Sequence, residues 1–183
     1  VTTDEGEQEL TAPEVFLNVG TRAAIPSIDG LDDVPYLTEI ELLALTEPPE
    51  HLVIVGGGYI GLEFGQMFRR FGSDVTIIAG GGVAAREDPD VQQILTDLFT
   101  GEGISIVAGR PSRVRREGGG VAVEVPDVGT VTGSHLLVAT GRRSNTDQLG
   151  PDTGLTMDER GFVVTDERFG GSVPRVWALG DMN

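Results

Sequence analysis

The chain has 183 residues, enough for one good core with an appendage, and no cysteine, so a disulfide framework, a thiolate metal site and a redox dithiol are excluded from it. Thirteen arginines and no lysine stand against 29 acidic residues; the formal net charge of −16 repels nucleic acid and anionic membrane, so an anionic ligand must be held by a local device. His51 and His135 are too isolated to make a metal centre, no apolar run approaches the ~20 residues of a membrane span, and the acidic start VTTDEGEQEL is unlike a signal peptide, so a cytoplasmic chain is expected.

In chain order, residues 1–3 and 8–10 predict extended segments, and 15–19 a short apolar strand at a sheet edge that closes on Gly20. Residues 21–35, punctuated by proline and glycine, predict an irregular connector. Thr38 followed by Glu41 has capping-box spacing and opens a helix. Ile40, Leu42, Leu43 and Leu45 would give it apolar contacts before Pro48 and Pro49 end it.

Residues 52–55 are a continuous apolar run, as a parallel strand needs when helices cover both faces of its sheet. A glycine turn follows at once. Gly56 permits the bend, Gly58 leaves room for a phosphate, and Gly61 lets the next helix lie close to the sheet. Leu62, Phe64, Met67, Phe68 and Phe71 recur at helical spacing, Arg69 and Arg70 lie toward the C-terminal end, and Gly72 stops the helix. Residues 75–78 give a second strand. GxGxxG alone is weak evidence among 27 glycines, but strand, turn, helix and second strand together form a dinucleotide-binding unit. Its helix N-terminus offers unpaired N–H groups and a positive dipole end to a pyrophosphate, so Gly56, Gly57, Gly58, Tyr59, Ile60 and Gly61 are the candidate contacts.

Asp88 is then placed to cap a helix with Pro89 at its first position, carrying Val91, Ile94, Leu95, Leu98 and Phe99 inward until Gly101 and Gly103. Residues 104–108 predict a third parallel strand. Residues 114–116, 121–125 and Val131 alternate around glycine-rich turns as hairpin strands do, and 136–139 return to the parallel sheet before Thr140 and Gly141. The expected fold is α/β: a Rossmann-like parallel sheet flanked by helices, with a small antiparallel β appendage.

The segments FLNVGTRAAIPSIDGLDDVPYLT, VIVGGGYIGLEFGQMFRRFGSDVTII, REDPDV, LLVATGRRSNT and VWALGD together resemble the FAD-dependent pyridine nucleotide-disulfide oxidoreductases. Glutathione reductase, dihydrolipoamide dehydrogenase and mercuric reductase belong to that family, and AREDPD, EGISI and LLVATGR are most similar to the mercuric reductase type. The resemblance spans nearly the whole chain. It implies an NAD(P)-binding domain over 36–142, FAD-domain strands and connector over 1–35, and a return segment of a truncated FAD domain over 143–183. The family also carries a preceding FAD segment with a CxxxxC pair and a following dimerisation domain, in a homodimeric parent. The implied function is delivery of a nicotinamide hydride to FAD in the intact enzyme, with this piece alone inactive. Two alternatives stand beside it: a free-standing dinucleotide-binding module, and a related flavoenzyme without a redox disulfide, of the ferredoxin reductase or NADH oxidase type.

Residue by residue, the resemblance puts Tyr59 at a gate over the flavin and Glu63 beside the nicotinamide. On side-chain chemistry alone, Tyr59 equally packs beside the turn, and Glu63 equally serves as a first-turn acid. Cofactor choice is written after the second strand, where an acid favours NAD and arginines pair with the 2′-phosphate of NADP. Ala79 is no acid, Gly80 stands where the family has a first NADP arginine, and Arg86 matches the second; the alternative for Arg86 is pairing with Glu87 or Asp88. The pattern leans to NADP or dual use. Gly141 matches the return crossing near the dinucleotide, and Arg142 and Asn145 fit a GRxPN motif in which Ser144 replaces proline, giving a looser loop. Asp181 matches a flavin-binding aspartate and, on this piece without a flavin, is expected to be disordered or solvated.

Overall fold

The structure, a computed structural model describing residues 2–4, 6–150 and 152–183, puts a strand on each apolar run singled out above. In order, the elements are β1 (Thr2–Thr3), β2 (Gly6–Glu7), β3 (Val15–Leu17), β4 (Thr21–Ala23), α1 (Glu39–Leu43), β5 (His51–Val55), α2 (Tyr59–Arg70) and β6 (Asp74–Ala79). They continue with α3 (Pro89–Gly101), β7 (Ser105–Ala108), β8 (Arg113–Glu117), β9 (Gly120–Val125), β10 (Gly129–Gly133), β11 (His135–Val138), β12 (Arg142–Ser144) and β13 (Val176–Ala178). Two units emerge, residues 23–141 and residues 1–22 with 142–183. Among the described residues no helix is long and apolar enough to cross a membrane.

In the central unit, β11, β5, β6 and β7 lie side by side as a parallel sheet. Successive residues of a strand face opposite ways, and both directions here are apolar. Leu52 and Ile54, Val75 and Ile77, and Leu137 face Leu42 of α1, Leu62 and Phe68 of α2, and Phe99 of α3. Val53, Val55, Ile78, Leu136 and Val138 face Val114, Val121, Val123 and Val125 of the antiparallel sheet β10-β9-β8. Helices therefore cover one face only, and the strands expected as an appendage are the layer that covers the other. The doubly buried sheet requires apolar cover of any kind, and β9 supplies it. Each fully buried Val, Leu or Ile contributes roughly 1.5–3 kcal/mol. Gly65 brings α2 against this sheet: a side chain there would start 3.0 Å from Ile77 Cδ1.

Residues 21–35 are more regular than expected. They hold β4 and a 3-10 turn at Leu31–Asp33, and Leu31 and Val34 are buried against the antiparallel layer. The Val114 N–H donates to Asp29 O at 2.7 Å, giving the segment a backbone partner that proline and glycine content does not reveal.

The Thr38–Glu41 capping box forms, with the Thr38 N–H donating to Glu41 Oε2 at 2.8 Å. Only Leu42 of α1 is buried, however, and Ile40 and Leu43 are 71% and 66% exposed, because five residues present a single inward position. In α3, Phe99 is buried and Leu95 packs beside it, while Val91, Ile94 and Leu98 stay exposed. Pro89 occupies its first turn, but the Asp88 side chain makes no cap.

In the second unit, β3 pairs in parallel with β13, Phe16 stacks on Trp177, and Val163, Ala178 and Met182 form a small core. β1 and β2 pair as a hairpin; Val1 lies outside the described residues, and 8–10 form no strand. Arg22 makes a two-pronged contact to Asp147, at 3.0 and 2.6 Å, and donates to Asn145 Oδ1 at 2.9 Å. The guanidinium holds the Asp147 carboxyl below its ordinary range. Ser144, expected to loosen this loop, is buried, and its hydroxyl accepts from the Thr146 N–H.

The C-terminal ends of α2 and α3 are clamped together. Arg70 reaches both oxygens of Glu102, at 2.7 and 3.1 Å, and Gln66 donates to the same carboxylate. The bonds from Arg70 hold the Glu102 carboxyl below its ordinary value of 4.5. A depressed carboxylate contributes stability above its unfolded pKa and loses it as pH falls through the folded one. Glu102→Gln is therefore expected to lower the melting temperature at pH 7, with the gap to the wild type closing as pH falls below 4.5, checked by thermal melts across the acid range.

Candidate functional site

The chain leaves β5 for β6 on one side and returns at β11 on the other, so the direction of crossover switches at the C-terminal end of β5. In open α/β sheets that crevice is where ligands bind. The glycine turn sits there.

Its glycines have different duties. Gly56 has φ +128, and its N–H donates to Ile78 O at 2.9 Å; a side chain would begin 2.2 Å from Ala139 O. At Gly61 the same atom would lie 2.1 Å from Gly56 O, and at Gly57 it would lie 2.6 Å from Gly82 O. Gly58 is the exception, because nothing lies within 4 Å of where its Cβ would be. Three glycines thus answer to the protein's own backbone, and the fourth faces open space. α2 begins there with no side-chain cap, and its first intrahelical bond runs from Leu62 N to Gly58 O at 3.0 Å. The N–H groups of Tyr59, Ile60 and Gly61 accordingly have no acceptor within the helix, and no acid occupies its first turn.

The loop after β6 folds back over this turn. The Ala84 N–H donates to Gly57 O at 2.8 Å, with Ala84 at φ 47 and both Val83 and Ala84 buried. The loop then brings Glu87 to the Tyr59 hydroxyl, which donates to Oε1 and is held above the ordinary phenol value by that bond. Tyr59 is otherwise 64% exposed. Glu63 is exposed one turn further along α2, beyond the first turn. Arg86 is exposed and makes no ion pair with Glu87 or Asp88 among the described residues.

Ala79 is buried at the end of β6, and the stem of Arg110 lies over Gly80. On the far side, Gly141 has φ +142 and its carbonyl accepts from the Ala24 N–H at 2.9 Å, next to the Thr140 hydroxyl, which donates to Ala24 O. Gly56, Gly57, Gly58, Tyr59, Ile60, Gly61, Glu63, Ala79, Gly80, Arg86 and Gly141 thus all belong to the central unit. Asp181 belongs to the other, in a 3-10 turn where its carboxylate accepts from the Thr21 hydroxyl at 3.3 Å and is not merely solvated.

Ala84, Glu87 and Arg110 were not legible as part of this region. The available signal was the arginine that follows the third parallel strand after a single glycine, in AGR. A cavity of about 190 Å³ lined by Pro35 and residues 116–120 lies elsewhere, at the β8–β9 turn. Gly120 there abuts Gly133, which abuts His51, at the opposite end of β5 from the glycine turn.

The sequence profile of the family described as pyridine nucleotide-disulphide oxidoreductase matches residues 1–183. The mercuric reductase of Streptomyces lividans is 42% identical over 98% of this chain, which spans 39% of that protein's length. A Cu(II) complex of a variant of the HOCl-induced flavoprotein disulfide reductase RclA from Escherichia coli superposes with a TM-score of 0.92 at 34% identity, over 100% of this chain and 42% of that one. LpdA from Mycobacterium tuberculosis superposes with a TM-score of 0.85 at 30% identity, over 99% of this chain and 40% of that one.

The different duties of the glycines separate in a melting experiment. Gly56→Ala forces a side chain onto the Ala139 carbonyl at positive φ and is expected to cost about 2 kcal/mol or more. Gly58→Ala meets open space and is expected to cost at most about 1 kcal/mol, as a weaker N-cap. Chemical denaturation followed by circular dichroism measures both.

Proposed function

The chain belongs to the pyridine nucleotide-disulphide oxidoreductase family, and from that premise we propose that residues 23–141 bind NADPH or NADH and present it to a flavin in a larger enzyme. The observation that carries this reading is the open face of Gly58 beneath the uncapped N-terminus of α2. The N–H groups of Tyr59, Ile60 and Gly61 would hold the pyrophosphate without a cationic side chain, which suits a chain of net charge −16. The dinucleotide, when bound, supplies a hydride. This chain's residues bind and orient it.

In this reading Tyr59 and Glu63 border the nicotinamide half. The Tyr59 ring is free to move once its bond to Glu87 opens, as a gate requires. Ala79 and Gly80 border the adenosine ribose, with Arg86 on the loop beyond, and Gly141 lines the return side. No carboxylate stands at 79 or 80 to hold ribose hydroxyls, which supports NADP or dual use over strict NAD use. FAD would belong to the parent, with Asp181 as this chain's contribution and the electron acceptor lying beyond it. The parent would be a cytoplasmic homodimer of the mercuric reductase or RclA kind.

Titration calorimetry with NADPH, NADH and FAD tests the proposal. One or both nicotinamide dinucleotides are expected to bind the 183-residue chain, and FAD is not expected to be retained. Gly58→Leu, whose Cβ would meet no protein atom within 4 Å, is expected to abolish dinucleotide binding while melting near the wild type. A wild-type chain that binds neither dinucleotide sinks the reading.

A further inference from the structure

The central unit holds seven arginines, and five of them are committed. Arg69 pairs with Asp74, Arg70 with Glu102, Arg113 with Asp29 and Arg115 with Glu117, and Arg116 donates to Asp33 O. Arg86 and Arg110 alone make no hydrogen bond or ion pair among the described residues. In a chain with 29 acids to 13 arginines, two unspent cations in one unit are conspicuous, and both lie on segments that leave the C-terminal ends of parallel strands.

Arg110 is placed by backbone. Ala108 pairs with Ala79 at the ends of β7 and β6, and the Gly109 N–H donates to Ala79 O at 3.4 Å. Gly109 has φ +146, and a side chain there would begin 2.5 Å from Val125 Cγ1, so only glycine lets the chain turn away from the antiparallel layer at this point. The turn lays Arg110 across Gly80: a Cβ on Gly80 would lie 2.5 Å from Arg110 Cγ and 3.4 Å from its Nε. The bare Gly80 is thus the bed on which the Arg110 stem rests, and any larger residue at 80 would displace it.

We propose that Arg110, reaching over Gly80 from the end of the third parallel strand, binds the 2′-phosphate of NADPH and makes this chain prefer NADPH over NADH. The inference rests on the dinucleotide reading proposed above. The position after the second strand is where the ribose 2′-substituent is read, and a guanidinium matches a phosphate with paired N–H donors. The cation absent from position 80 is supplied by a neighbouring strand.

The test compares wild type, R110Q and R86Q by calorimetry against NADPH, NADH, 2′,5′-ADP and 5′-ADP. Wild type is expected to favour the two 2′-phosphorylated ligands. R110Q is expected to weaken them about tenfold or more, the loss of one charged hydrogen bond, while NADH and 5′-ADP affinities and the melting temperature stay put. Unchanged NADPH affinity in R110Q overturns the proposal, as does an equal loss for NADPH and NADH, which would mark a structural role. Wild-type binding of NADH without preference for NADPH overturns it too, yet leaves the dinucleotide reading standing. Failure of every ligand to bind wild type removes both.

Discussion

Backbone meets backbone at the end of β5 with no room for a side chain. Gly56 lies under the Ala139 carbonyl and Gly61 under the Gly56 carbonyl, each so close that a single carbon atom would collide. That constraint seats α2 on the sheet, fixes where β11 passes, and leaves the helix N-terminus pointing into the crevice between them. The other features of the site inherit their positions from it. Gly58 opens outward because its neighbours are held inward, and the N–H groups that follow are uncapped because Gly58 has no side chain to offer them.

The sheet beneath has two apolar faces and two kinds of cover. Ile54 and Ile77 lie under α2, while Val53 and Ile78 lie under the antiparallel strands. Embedding β5 from both sides makes its C-terminal end a rigid platform, which a turn with such small clearances needs. The antiparallel layer also shapes the site at a distance, since Val125 obliges residue 109 to be glycine and thereby directs the chain on to Arg110.

Much of this was legible in the chain. The strand–turn–helix–strand unit, the capping box at Thr38 and the parallel strand at 136–139 each carry a local signature in spacing or residue type. What was illegible depended on partners remote in sequence. Apolar residues on β9 announce burial but not against what, so the antiparallel strands read as an appendage rather than a layer. Residues 29–34 read as irregular because their hydrogen-bond partner, Val114, is some eighty residues away. Ile94 and Leu98 follow helical spacing yet remain exposed, since periodicity says nothing of whether a neighbour exists to cover them. At the site, the turn was visible because glycine has a function of its own; Glu87 and Arg110 were not, because a charged residue in a loop declares itself only through what it touches.

The bond from Ala84 to the Gly57 carbonyl spans the loop and the turn, two stretches of sequence that a comparison of chains would treat as separate. Its consequence concerns how such a protein changes over time. The exposed positions 81, 85 and 86 are at liberty to be exchanged, and with them the loop's charge and its preference among ligands. The number of residues between 79 and 84 is not, because one insertion would carry the donor past its acceptor and set Ala84, already left-handed, out of register with the turn. Variation here should accumulate as substitution within a loop of frozen length.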